Sequence, residues 1–343
     1  MVLIATHFFC VLDIFQSQMW SDFAASTPNH FQLVAEGVRK TVLHSKADGT
    51  VRTYLGGFNR WKRWAVSNGL CPLPANPFHV ATYMQCLVEE ARSASPIWCA
   101  VFSIDWVHKL CGFWKISAHP LVDSMLKACQ RLASHPKKRK EPITVAMLEA
   151  LTCKLKDKYS VYERRTVALC LIGLAGFFRF SELSSIRCCD VKWYDSSVCI
   201  FLESSKTDQF REGAWISIAR SDGATCPVGA LEEYVRVAGL DLGEELPLFR
   251  ALGWRSCARK VRGQGISYSR VRELIQEAFK DITDVSKIGV HSLRSGGATA
   301  AANAGIPDRL FKRHGRWLSE SAKDGYVKDS TSSLLSVSRS LGL

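Results

Sequence analysis

A histidine and an arginine stand three residues apart at His291 and Arg294, a tryptophan follows at Trp317, and a tyrosine comes nine residues after that at Tyr326. Upstream, Arg179 lies in GFFRFSEL and Lys206 in SSKTDQFREG. Arginine suits a phosphodiester, because its planar fork stays charged and binds phosphate oxygens bidentately. Two arginines from separate elements can clamp the non-bridging oxygens of a phosphate that gains negative charge in its transition state. Lysine at a loop tip can reach into a groove and protonate a leaving oxygen. Tyr326 is the candidate nucleophile. A phenol is weak at its ordinary pKa of about 10, and here the arginine pair and His291 are available to activate it. The set describes an attack on a phosphodiester that needs no metal.

Taken singly, each residue has an ordinary structural explanation. Glu182 lies three residues after Arg179, which reads as an ion pair on one helical face. A lone H-x-x-R is frequent by chance, Lys206 alone is a solvated loop residue, and an exposed Tyr is usually a surface aromatic. His291 and Arg294 share a helix face at i, i+3, at a helix start that adds backbone donors for a phosphate. Gly296 and Gly297, just after them, let another backbone or a ligand come close.

The elements that must position these residues follow from hydrophobic periodicity. Val51, Tyr54, Leu55, Phe58, Trp61 and Ala65 recur at helical spacing, with Arg52, Arg60, Lys62 and Arg63 on the opposite face. Phe78, Ala81, Met84, Leu87 and Ala91 repeat the pattern after Pro77. Further helices are predicted over 96–111 and 120–133, so residues 26–134 read as an all-α bundle of four or five helices. The segment SHPKKRKEP brackets Lys137, Lys138, Arg139 and Lys140 between two prolines and reads as a linker over 135–142. Beyond it, residues 143–343 turn mixed. Helices are predicted at 144–156, 162–177, 227–238 and 268–282, and strand-like runs at 191–195, 198–203 and 214–219 make a hairpin or meander with a long tip at 204–213. The fold class is mainly α with a small antiparallel β-sheet.

A chain of 343 residues has room for two cores, and 47% hydrophobic with 22% charged residues fits a globular protein rather than a disordered one. A net charge of +13 favours a polyanionic partner. The 13 cysteines have no C-x-x-C pair, which argues against a disulfide framework or a zinc site and for reduced thiols inside a cell. Residues 1–25 begin with an apolar leader that lacks a basic start and a cleavage site, and is too short to span a bilayer comfortably.

The order R…K…HxxR…W-x8-Y, with its flanks, resembles the catalytic motif of the tyrosine recombinase (phage integrase) family, and the resemblance covers roughly residues 30 to 330. SKTDQFREG is similar to recombinases of eukaryotic mobile elements such as Cryptons. The resemblance implies a helical core-binding domain at 26–134 and a mixed α/β catalytic domain at 143–343. It implies that Arg179 and Arg294 bind the scissile phosphate, that Lys206 is the general acid, and that His291 assists proton transfer. Trp317 would fill the family's His/Trp position, Glu182 would be a supporting acid, and Tyr326 would form a covalent 3′-phosphotyrosyl link without ATP, metal or cofactor. His314, twelve residues before Tyr326, is off that spacing and is expected to be peripheral. The expected partner is double-stranded DNA, held by a homotetramer, with Arg60, Lys62, Arg63 and the basic linker on backbone phosphates and with no membrane association. The location would be the nucleus in a eukaryote. The alternatives are a domesticated DNA-binding protein that no longer recombines and a topoisomerase-like relaxing enzyme.

Overall fold

The computed structural model describes every residue except 1–13, 91–92, 134–138, 206–207, 209–211, 256–257 and 343. Lys206, Lys137 and Lys138 therefore lie outside the described residues. The chain divides into two compact units, Met1–Lys137 and Lys138–Leu343.

The first unit is helical: α1 (Gln18–Ser26), α2 (Gln32–Leu43), α3 (Asp48–Ser67), α4 (Pro77–Glu90), α5 (Ser95–Leu110) and α6 (Pro120–Leu132). The stripe read from the sequence is the buried face of α3: Leu55, Phe58, Trp61 and Ala65 are all enclosed. Gly57 lets α5 cross closely, since a Cβ there would collide with Ser103. Pro96 near the start of α5 and Pro120 at the first position of α6 suit helix starts, where the missing N–H has no intrahelical partner to lose. The sequence predicts four or five helices here. The structure has six among the described residues, because α1, inside the apolar leader, docks through Trp20, whose Nε1 donates to the Leu110 carbonyl at 2.7 Å. On the polar face of α3, Arg60 and Arg63 are exposed and Lys62 is half-buried.

The second unit is built around α8 (Val161–Ala175), which follows α7 (Val145–Leu155). Residues 165–173 of α8 are buried without a break, and from Val167 onward they are apolar, as expected of a helix segment that sits inside a core. A short α9 (Phe180–Ser185) leads to the antiparallel sheet β1–β2–β3 (Val191–Tyr194, Ser197–Leu202, Ala214–Ala219). Val198, Ile200 and Leu202 alternate inward on β2 and face Ile218, Ile216 and Ala214 across the β3 ladder. Between β2 and β3, Asp208 draws the loop together: its carboxylate accepts from the backbone N–H groups of Glu212 at 3.0 Å and Gly213 at 2.8 Å. Then come α10 (Pro227–Ala238), the hairpin β4–β5 (Arg250–Arg255, Ala258–Gly265) and α11 (Tyr268–Phe279). The chain closes with α12 (His291–Asn303), α13 (Asp308–Gly315), α14 (Glu320–Asp324) and α15 (Thr331–Arg339). The fold class is as the sequence reads it, with the β4–β5 hairpin as an element the sequence reading lacks. Among the described residues the cysteines are free thiols, and no helix is long and apolar enough to cross a membrane.

Candidate active site

The site grows from the carbonyl end of α8. The carbonyls of Ala175, Gly176 and Phe177 have no helical successor to bond, and Phe177 turns the chain with a φ of 49°. Side chains from far downstream serve them. His314 bonds the Ala175 carbonyl through Nε2 at 2.7 Å, Arg316 Nη1 donates to Gly176 at 3.0 Å, and Phe177 accepts from both Arg294 and Arg316. Cationic donors suit the negative end of a helix.

This turn delivers Arg179. The sequence reading puts Arg179 and Glu182 on one helical face, and the structure corrects it: Arg179 has an extended ψ of 159° and is the residue before α9. Glu182, in the first turn, reaches back. Its Oε2 accepts the Arg179 backbone N–H at 2.8 Å, and its Oε1 accepts Arg179 Nη1 at 2.7 Å. This is the reciprocal half of a helix capping box, and it fixes the Arg179 backbone and guanidinium with one carboxylate.

Arg294 comes from α12. Its neighbours Gly296 and Gly297 make the approach possible, because a Cβ at either would run into the backbone carbonyl of Ile143 or Leu174. Pressed against α8 in this way, α12 carries Arg294 wholly inside, at 0% exposure, whereas His291 at the helix start is exposed. The i, i+3 pair therefore straddles the edge of the buried face rather than presenting two equivalent side chains. Arg294 donates to the carbonyls of Phe177 and Gly315 and lies 3.9 Å from Glu182 Oε2. Its guanidinium carbon sits 4.5 Å from the Trp317 ring centroid and 4.8 Å from that of Tyr326. Burial first, and the Arg179 charge second, push the Arg294 guanidinium below the ordinary arginine range. Its Nε and the Trp317 indole Nε1, both buried, have no hydrogen-bond partner among the described residues.

Trp317 and Tyr326 pack with ring centroids 5.6 Å apart, beside Phe177, Ala298 and Phe311. Tyr326 is half-buried. Thr299 of α12 holds its segment, accepting the Lys328 N–H at 3.1 Å and donating to the Tyr326 carbonyl at 3.5 Å. Lys323 is engaged by Asp308, Glu320 and Asp324, so the cation against the phenol ring is Arg294.

The structure thus brings together Arg179, Glu182, Arg294, Trp317 and Tyr326. It adds Arg316, which the sequence reading missed. Arg316 occupies the position after α13 with a φ of 55°, and its side chain, 6% exposed, donates to Glu182 Oε2 at 2.7 Å. No sequence signal separates it from the other basic residues of FKRHGRW. Burial tends to raise the Glu182 pKa, yet Arg316, the Arg179 N–H and the charges of Arg179 and Arg294 together hold it below the usual carboxylate range. His314 is not peripheral in place. It is a half-buried strut, set edge-on against Phe177 with centroids 4.6 Å apart, and its partial burial lowers its pKa. In the basic linker, Arg139 donates to the Gly325 carbonyl at 3.4 Å and Lys140 to that of Ser286. Among the described residues no group of His, Cys, Asp or Glu side chains is arranged to hold a metal.

No protein-family model matches the chain. An integrase/recombinase xerD homolog of Selenomonas ruminantium is 30% identical over 291 residues, which cover 83% of this chain and 82% of that protein. Among solved structures, the XerH site-specific recombinase in a post-cleavage complex with a palindromic difH substrate aligns at a TM-score of 0.56 and 12% identity, over 80% of this chain and 75% of that one. A lambda integrase dimer bound to a COC′ core site aligns at 0.53 and 17% identity, over 83% and 90%. The fold is shared with these structures.

Proposed function

The chain belongs to the tyrosine recombinase family, and from that premise we propose that it is a site-specific DNA strand transferase. Tyr326 Oη attacks the scissile phosphorus and displaces the 5′ oxygen of the next nucleotide, leaving a 3′-phosphotyrosyl link. His291 assists removal of the phenol proton, and Lys206, outside the described residues, gives a proton to the departing 5′ oxygen. The bond count is unchanged, so a 5′-hydroxyl from a second strand reverses the step without ATP.

The observation that carries this reading is the cation enclosed by two rings. Arg294 lies against Trp317 and Tyr326 while Arg294 Nε and Trp317 Nε1 keep unused donors. Arg179, fixed by Glu182, supplies the second fork. The work of Arg60, Lys62, Arg63, Lys137, Lys138, Arg139 and Lys140 is to grip backbone phosphates, which makes binding fall steeply with salt. Recombination of two duplexes calls for four protomers.

The test is a DNA selected from a random pool for binding and then nicked near the contact site, so that cleavage traps the intermediate. The expected result is a covalent protein–DNA adduct in the wild type and none in Tyr326→Phe. Tight binding with no adduct would instead mark a DNA-binding protein that no longer recombines.

A further inference from the structure

We propose that Arg316 is a positioning residue for strand cleavage, acting through Glu182 on Arg179 and through the turn at 175–178 on Arg294. The inference rests on the strand-transfer reading and extends it to a residue outside the motif.

The backbone gives no reason for an arginine at this position. A φ of 55° just after a helix is where glycine is favoured, and an L side chain there is strained. The side chain is what the position serves. One guanidinium donates to the carbonyls of Gly176 at 3.0 Å, His314 at 2.6 Å and Phe177 at 2.9 Å, and to Glu182 Oε2 at 2.7 Å. It joins the turn before Arg179 to the residue before Trp317. It also occupies Oε2 of Glu182, leaving Oε1 to the Arg179 guanidinium.

The charge balance points the same way. Glu182 is 1% exposed and is shared by three arginines, at 2.7 Å from Arg179, 2.7 Å from Arg316 and 3.9 Å from Arg294. Without Arg316, the carboxylate would draw on the two forks that are meant for phosphate, and Arg294 would be the nearest substitute. With Arg316 in place, Oε2 of Glu182 is occupied, Arg294 keeps its bonds to the Phe177 and Gly315 carbonyls, and Glu182 stays ionised across the neutral range. The role is electrostatic and geometric, since Arg316 is enclosed beneath the turn.

The experiment compares first-order cleavage of a pre-bound nicked substrate by wild type, Arg316→Gly, Arg316→Lys and Arg316→Gly/Glu182→Gln, with melting curves and DNA affinity measured for each. Glycine relieves the backbone strain, so a folded variant is expected. Its cleavage rate should fall at least about tenfold, with DNA affinity within about twofold, as expected for a group that acts on the bound state. Its acid limb should move to higher pH, because Glu182 has lost its main cation. Lysine should restore part of the rate, and the double variant should lose the shifted limb. Cleavage by folded Arg316→Gly at the wild-type rate and pH dependence would overturn the proposal while leaving strand transfer intact. A wild type that forms no adduct would overturn the strand-transfer reading, and this inference with it.

Discussion

Arg294 and Tyr326 lie cation to ring, with the guanidinium carbon 4.8 Å from the phenol centroid, although they are thirty-two positions apart in the chain. The contact joins the only fully enclosed arginine of the described site to its proposed nucleophile. It also separates two properties of the tyrosine that experiments can address one at a time: the ring, which packs, and the hydroxyl, the proposed nucleophile.

Tyr326→Phe keeps the ring. The cation–ring contacts with Arg294, on the order of 0.5–2 kcal/mol, survive, so the melting temperature should change little while adduct formation disappears. Tyr326→Ala should lose both, with a stability loss of about 1–3 kcal/mol. Differential scanning calorimetry beside the trapping assay separates the two. A large stability loss in the Phe variant would mean that the hydroxyl is structural.

Arg294→Lys keeps the charge and removes the fork. Lysine cannot serve the Phe177 and Gly315 carbonyls together, and it offers no planar face to Trp317. Cleavage of bound DNA should fall by about 100-fold or more, in line with the loss of a transition-state donor. DNA affinity should drop only a few-fold, because backbone contacts elsewhere dominate binding. Single-turnover rates and a salt titration of binding give the two numbers. Equal losses in rate and affinity would make Arg294 a ground-state contact.

Glu182→Gln removes the carboxylate from beneath three arginines. Breaking a buried ion pair from one side costs on the order of 3–5 kcal/mol. The pH dependence has a definite sign. The folded pKa of Glu182 lies below its unfolded value, so its stabilisation is fully present above the unfolded value of about 4.3 and fades as pH falls through the folded one. The gap in melting temperature between wild type and Glu182→Gln should therefore be constant from pH 7 to about 5 and narrow below about 4. A gap that stays constant to pH 3 would mean that the charge is not the stabilising element.

Gly297→Ala tests why α12 can approach α8. Alanine is favoured over glycine in a helix by about 1 kcal/mol, yet here its Cβ would collide with the Leu174 carbonyl and the Phe177 ring. A net destabilisation of about 1–3 kcal/mol is expected. Gly37→Ala on α2, where nothing lies within 4 Å of the added carbon, should instead stabilise by up to about 1 kcal/mol. Urea unfolding of the two variants should give opposite signs, and matching signs would refute the packing argument.

The contrast between what the sequence discloses and what it conceals has physical causes. The stripe from Val51 to Ala65 and the run at 214–219 are legible because burial repeats with the period of the backbone. The β4–β5 hairpin is illegible because ARKVRGQG carries charges and glycines where a strand would alternate. Its ladder also slips register between Arg250 and Leu252. Arg179, Arg294, Trp317 and Tyr326 are singled out by residue type and spacing, and the structure brings them together. Arg316 escapes because its importance lies in four partners, of which Gly176, Phe177 and Glu182 come from over a hundred residues earlier. Glu182 is found in the sequence, but its use as a helix-capping acid depends on where α9 begins.

The end of α8 carries one more consequence. Among the described residues, its terminal carbonyls find their side-chain partners in residues 294–316. During synthesis, the first arginine of the site is made long before the groups that aim it. A nascent chain lacking that later stretch has a helix end whose last carbonyls are without these side-chain partners, so the turn that carries Arg179 is completed only when residues 294–316 have joined the fold.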